Sequence, residues 1–263
     1  MNLLISILGR LFSLVLAVVP VRQFEALVNR SIAARAGTLP PDEALRFLFR
    51  IDAFLYALQG QKSMAYGDGV HTKHRHIRYH DFFVERIQQG DKVLDLGCGR
   101  GELAADIAER AGGDVLAIDM NAESIAVARS RYDQPGLEFA VGEAFSDLPR
   151  RAFDVVVLSN VLEHLPGRPA FLRRIIETIR PGRILIRVPL FERDWRVPLK
   201  KELGVEWRLD PTHETEYTVK SFYDELAEAG LTVKDQRICW GEIWAEAVPA
   251  YEISQAEQKD GER

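Results

Sequence analysis

Five short apolar runs mark the middle of the chain at nearly regular intervals, near 91–96, 114–119, 136–141, 153–158 and 183–189. Val155-Val156-Val157-Leu158 shows their character: apolar at every position, without alternation, as suits a strand buried on both faces. Between most of them apolar residues recur at helical spacing, as in Ala122–Tyr132 and Ala170–Arg180. Strand and helix alternating in this way predict a parallel sheet with helices on both sides. A helix is predicted over Val219–Ala229, stopped by Gly230. Two more strand-like runs, 231–239 and 242–248, then fit an antiparallel edge. No internal repeat is visible, and the tail from Gln255 is polar.

The end of the first run carries the chemistry. Residues 93–101 read Val-Leu-Asp-Leu-Gly-Cys-Gly-Arg-Gly, a strand that stops in a sharp turn before a helix from Glu102 to Arg110. Glycine lets a ligand lie against the backbone there, and the helix amides face the same turn. A dinucleotide fingerprint places a third glycine or alanine where this chain has Glu102, beneath a pyrophosphate. A carboxylate is a poor neighbour for pyrophosphate, so the turn suits a cofactor without one. Asp119 ends the second strand about twenty residues on, where an acid accepts both hydroxyls of a ribose. Gly97, Gly99 and Gly101 together with Asp119 therefore fit an adenosine cofactor with a compact charged tail.

On these residues and three further stretches the chain resembles the class I S-adenosylmethionine-dependent methyltransferases, over roughly residues 75–248. The further stretches are Ala117-Ile-Asp-Met120, Val141-Gly-Glu-Ala144 with Asp147-Leu-Pro149, and Phe153 through Leu165. The resemblance implies a doubly wound, Rossmann-like α/β fold with a seven-stranded sheet. It implies S-adenosyl-L-methionine held by Asp95, Gly97, Cys98, Gly99, Gly101, Asp119, Met120, Glu143, Ala144 and Asn160. An entry helix before the first strand would bring Arg78 or Tyr79 to the methionine carboxylate. The family usually has Asp at the position of Glu143, which would still accept a hydrogen bond from the adenine amine. It usually has a second glycine in the turn Arg180-Pro-Gly-Arg183, which lies away from the cofactor.

Composition narrows the partners. The 263 residues suffice for one large α/β domain with additions. A net charge of −5 argues against a nucleic-acid acceptor, as does Ser159-Asn160-Val161-Leu162 where base-amino methyltransferases carry an Asn-Pro-Pro-Tyr type signature. Two cysteines, Cys98 and Cys239, do not make a disulfide scaffold, which points to a reducing, cytoplasmic setting.

Three segments are expected: an N-terminal helical segment over 1–70, the methyltransferase domain over 71–250 with a substrate lid at 190–218, and a polar tail over 251–263. Residues 2–21 are strongly apolar, with Asn2, Ser6, Gly9, Arg10, Ser13 and Ala17 recurring at spacings of three and four. That narrow polar stripe fits a helix lying in a membrane interface. A helix packed on the domain or on a partner subunit fits too; a cleaved or spanning segment fits less well because of Arg10. Residues 1–40 hold four arginines and one acid, a net +3 in a chain of net −5. Such a gradient favours an anionic inner-leaflet surface and a peripheral location there. Nothing in the sequence sets the oligomeric state.

Four of the six histidines crowd into one decade, His71, His74, His76 and His80, interleaved with Lys73, Arg75 and Arg78. No carboxylate lies within 71–80, so no metal site is expected. A cationic stripe facing an anion, or a solvated helix face, accounts for them better. His213, in Asp210-Pro-Thr-His-Glu-Thr-Glu-Tyr217 of the lid, and His164, after the fourth strand, are the candidate catalytic bases. Glu163 is an alternative to His164 for facing the methyl group, and His164 is equally explained as a packing residue. The lid also carries Arg193, Asp194, Trp195, Arg196, Trp207 and Arg208, a mixture suited to a polar ring. By resemblance, the leading acceptor is a sugar hydroxyl of an envelope polysaccharide or glycolipid. The alternatives are O-methylation of a membrane quinone precursor and a non-catalytic, cofactor-binding partner subunit.

Overall fold

The computed structural model describes residues 18–251. Of the apolar stretch at 2–21, residues 2–17 lie outside the described residues, as do residues 252–263 of the tail. The chain divides into a smaller unit, residues up to Ser63 with Lys200–Val205, and a larger one, Met64–Leu199 with the residues from Glu206.

The smaller unit is built on two helices, α1 (Val21–Gly37) and α2 (Pro41–Tyr66). Pro41 opens α2, where the missing amide hydrogen costs no intrahelical bond, and Asp42 and Glu43 complement the helix dipole. On α1, Phe24, Val28, Ile32 and Ala36 recur every four residues as a half-buried stripe. Phe49 is the one fully buried residue among those described in this unit. Arg46 donates to the Leu203 carbonyl at 3.0 Å and to Asp42 at 2.6 Å.

The larger unit opens with two short helices, α3 (Lys73–Ile77) and α4 (Tyr79–Val84). The sheet follows: β1 (Lys92–Leu96), β2 (Asp114–Asp119), β3 (Leu137–Val141), β4 (Val155–Ser159), β5 (Arg183–Pro189), β6 (Leu231–Cys239) and β7 (Glu242–Pro249). Their spatial order is β3-β2-β1-β4-β5-β7-β6. The first five pair in parallel; β7 enters antiparallel between β5 and β6, completing the predicted edge. Val155 to Leu158 are fully buried, as their unbroken apolar run requires. Helices α5 (Glu102–Asp106, running on as a π turn over Ile107–Ala111), α6 (Ala122–Arg131), α7 (Arg168–Ile179) and α9 (Val219–Glu228) accompany the sheet. Two apolar clusters result, one containing Phe171, Ile175 and Phe222, the other Phe82, Phe83 and Trp244.

Strand order reverses between β1 and β4, so the crevice at their carboxyl ends is where ligands bind in folds of this kind. Two differences from the sequence reading bear on it. Arg78 sits in the left-handed region (φ 54°) and breaks the entry segment into α3 and α4. The long connection is not bare loop: it holds a 3-10 turn (Phe191–Arg193), helix α8 (Arg196–Glu202) and a bridge between Leu190 and Tyr217. Its residues Lys200–Val205 belong to the smaller unit.

Candidate active site

The turn after β1 holds three glycines at positive φ, Gly97 (75°), Gly99 (56°) and Gly101 (83°). A Cβ on Gly97 would stand 2.6 Å from a Val161 methyl, and one on Gly101 2.6 Å from the Phe139 ring. At Gly99 nothing lies within 4 Å of an added Cβ, so that side of its half-buried backbone faces open space. The Asp119 carboxylate accepts from the amides of Gly99 and Asn121, both at 2.8 Å, and so ties the ends of β1 and β2 together. Gly97 and Gly101 are thus demanded by packing, and Gly99 by the space above it.

Two buried polar atoms in this crevice have no protein partner, Asp95 Oδ2 and Asn160 Oδ1. Buried polar groups are nearly always satisfied, so such a pair marks where a polar ligand completes the structure. Burial, with Asp119 close by, pushes the Asp95 carboxyl up to about 7. Asn160 holds φ 58° just after β4, a left-handed conformation that asparagine tolerates better than most residues. Cys98 is half-buried and burial raises its thiol, so it acts as a small neutral filler. These groups fit S-adenosyl-L-methionine: an open glycine backbone, a ribose acid, and acceptors near the ammonium end.

The adenine end is less open than the sequence suggested. Glu143 accepts from the amides of Phe145 (3.1 Å) and Ser146 (2.7 Å), and its own amide is held by Asp147. Its carboxylate therefore shapes the loop first and keeps only outer lone pairs for a ligand. Ala144 is half-buried beside it, and Met120 is widely exposed.

On the entry segment it is Tyr79, not Arg78, that turns inward. Tyr79 is buried, with the Arg187 guanidinium 3.8 Å from its ring centroid. Arg78 projects outward and pairs with Asp81 at 2.6 Å. The break at Arg78 also puts His76 and His80 on different helices. His76 is exposed, while His74 Nδ1 lies 3.3 Å from His80 Nε2 and 3.2 Å from the Tyr79 hydroxyl. His80 Nδ1 lies 2.8 Å from Asp106. Burial first, and the charges of His80, Lys73 and Arg187 after it, pull His74 down to about 4. The cleft here, about 520 Å³, mixes Arg75, Arg78 and Arg110 with Asp81, Glu102 and Asp106, so it is no purely cationic stripe.

A second group of titratable side chains gathers where the chain leaves β4. Glu163 and His164 lie in the 3-10 turn Leu162–His164, and the Glu163 carbonyl accepts the amide of Glu214 at 2.7 Å. That bond brings both candidate histidines together, their rings 4.6 Å apart and edge to face. His213 is buried, with Nδ1 3.2 Å from Glu216 Oε1. Glu216 also accepts from Arg193 and from the Leu209 amide. Burial raises the Glu216 carboxyl, but these hydrogen bonds outweigh it and hold the group below the usual range. His213 Nδ1 therefore donates to a carboxylate, which leaves Nε2 bare to accept a proton. His164 is tied to Thr212 at 3.0 Å and is lowered by burial and by the charge of His213. Glu163 is fully buried, its two carboxylate oxygens have no partner, and burial raises it to about 7. One ligand atom each from Glu163, His164 and His213 fall within 4.8 Å of one another, a spacing compatible with a divalent cation.

Glu216, the partner of His213, is a residue whose place the sequence did not reveal. Its signal was present as an acid three positions after His213.

Known proteins similar to this chain bear on its fold and family. A methyltransferase-domain family model matches residues 70–236. The ubiquinone biosynthesis O-methyltransferase of Paramagnetospirillum magneticum is 30% identical over 211 residues, spanning 75% of this chain and 84% of its own. That of Pseudomonas fluorescens is 32% identical over 57% of this chain and 69% of its own. Among solved structures, a Haloferax volcanii methyltransferase bound to its Trm112 activator superposes with a TM-score of 0.56 at 19% identity, covering 68% of this chain and 92% of its own. The magnesium protoporphyrin IX methyltransferase of Synechocystis PCC 6803 superposes with a TM-score of 0.53 at 18% identity, over 66% and 83% of the two chains. The chain belongs to the class I S-adenosylmethionine-dependent methyltransferases. It is an enzyme of methyl transfer, and S-adenosyl-L-methionine is its cofactor.

Proposed function

We propose that this enzyme O-methylates a ring hydroxyl of a quinone precursor. The observation that carries the reading is the Glu216–His213 pair, which orients the imidazole through Nδ1 in a connection tied by the Glu214 amide to the turn after β4. The cofactor supplies a methyl group activated by a sulfonium. The protein must align an oxygen with it and take that oxygen's proton. His213 Nε2 receives the proton, and Glu216 stabilises the imidazolium that forms. Asp95 and Asn160 hold the cofactor, and Asp119 its ribose.

The curated relatives favour this acceptor over the sugar hydroxyl of an envelope glycan, which no comparison supports. A small-molecule acceptor also suits a chain of net charge −5 better than a nucleic acid does. The deciding experiment gives the enzyme methyl-labelled cofactor and separated lipid fractions. Label in the prenylated phenol fraction supports the reading; label in glycolipid, or in neither, overturns it.

A second reading rests on one observation, the convergence of Glu163, His164 and His213. A divalent cation held there would lower the pKa of a bound hydroxyl, and His213 would then be a ligand and not a base.

A further inference from the structure

We infer that the exposed apolar belt of helix α2, with the basic helix α1 that precedes it, is a docking surface for an anionic phospholipid membrane. The inference does not depend on which acceptor the enzyme methylates.

Helix α2 carries nine consecutive uncharged residues, Ala53 to Gln61, between Asp52 and Lys62. Residues 53–59 are all exposed, so the apolar side chains run round the helix and do not form one stripe facing a core. Phe54 is 62% exposed and Tyr56 65%, with Leu55 and Leu58 beside them. On α1, Val21 and Leu27 are exposed and no residue is buried. A monomer in water seldom presents so many large apolar side chains together without a partner for them.

Charge says which partner. Residues 21–66 carry six cations against the four acids Glu25, Asp42, Glu43 and Asp52, a net +2; Arg22, Arg30 and Arg35 stand on α1 against Glu25 alone, and Arg50 lies one turn before the apolar belt of α2. Arginines around an exposed apolar surface let the stems lie on hydrocarbon while the heads meet phosphates. A second copy docked by a two-fold axis would set these same arginines against one another. The chain outside the described residues adds to the match, since residues 2–17, joined directly to Val18, are its most apolar stretch. No helix among the described residues is long and apolar enough to cross a membrane; a helix with exposed apolar and basic residues binds by lying in the interface plane.

Flotation of the full-length protein with vesicles tests this. The protein is expected to float with phosphatidylcholine vesicles containing phosphatidylglycerol, to release in high salt, and to stay behind with phosphatidylcholine alone. The double variant Phe54→Ser/Leu58→Ser should lower partitioning about tenfold or more, with calorimetric cofactor affinity unchanged as proof that the methyltransferase domain is folded. Arg22→Glu/Arg30→Glu should abolish the preference for phosphatidylglycerol. Failure to float with either vesicle, equal binding to both, or apolar variants that float like the wild type would each overturn the inference. So would an oligomer by light scattering that the Phe54→Ser/Leu58→Ser change dissociates.

Discussion

His213 and Glu216 stand three positions apart in a segment that is not helical, yet His213 Nδ1 lies 3.2 Å from Glu216 Oε1. The contact exists because Glu216 is fixed from two other directions, by Arg193 and by the Leu209 amide. A carboxylate locked in place selects the tautomer of the imidazole it touches. His213→Ala should therefore lower kcat by roughly 10²–10⁴-fold, the usual range for losing a general base. Glu216→Gln should lower kcat less and shift the pH profile of kcat, because the imidazolium loses its counter-charge. Cofactor affinity should stay near wild type in both. Normal turnover by His213→Ala would remove the residue from the chemistry.

Gly99 and Gly101 are two residues apart and predict opposite kinds of damage. Alanine at Gly101 must fit a Cβ 2.6 Å from the Phe139 ring and 3.1 Å from Ala128 Cβ, at φ 83°. Strain and overpacking together should cost about 2–4 kcal/mol of stability. Alanine at Gly99 meets nothing within 4 Å and carries only the backbone cost, about 1 kcal/mol. Its methyl would instead occupy cofactor space. Thermal melts should separate the two, with Gly101→Ala the less stable. Calorimetry should reverse the order, with Gly99→Ala the more damaged in affinity relative to its stability. Full cofactor affinity in Gly99→Ala would refute the cradle.

Much of this was legible in the sequence, for reasons that can be named. β1, β2 and β5 fall within a residue of where their apolar residues placed them, even though Asp95 in β1 and Arg187 in β5 are buried polar positions inside the runs. The glycine turn and Asp119 were legible because their conformation and chemistry are local. The break at Arg78 was not: a non-glycine residue at φ 54° is held there by what surrounds it, and the sequence shows only a good helix former. The meeting of His164 with His213 was not legible either. It depends on the Glu163 carbonyl accepting the Glu214 amide, a bond between residues far apart in sequence.

The cluster of Glu163, His164 and His213 makes the choice between base and cation a matter of chelation. If His213 is the base, activity should persist after exhaustive dialysis against a chelator. If the three side chains hold a divalent cation, activity should disappear and return on adding a divalent metal salt. Glu163→Gln sharpens the comparison. It removes a ligand charge and should weaken any metal response at least tenfold, while a pure base mechanism would lose less. Activity indifferent to both chelator and metal would sink the cation reading.

Asp95 offers a prediction of pH dependence whose sign is fixed by burial. Its carboxyl ionises near 3.8 in the unfolded chain and at about 7 in the folded one, first because it is desolvated and then because Asp119 lies near. Between those values the folded state holds a proton that the unfolded state has lost, so cofactor-free stability falls as pH rises through that window. Above about 7 both states are ionised and the whole penalty is present. Asp95→Asn keeps the shape and removes the charge, so it should be more stable than wild type above pH 7, by about 2–4 kcal/mol. The difference should shrink to nothing as pH falls toward 3.8. Glu163 is also raised by burial, but it titrates in both proteins and cancels in the comparison. The same substitution should weaken cofactor binding, because the charge that destabilises the empty crevice is the one a cationic ligand answers. Melting curves across pH, with and without cofactor, check both halves. An Asp95→Asn protein that tracks the wild type at every pH would show that this carboxyl is solvated in the folded chain.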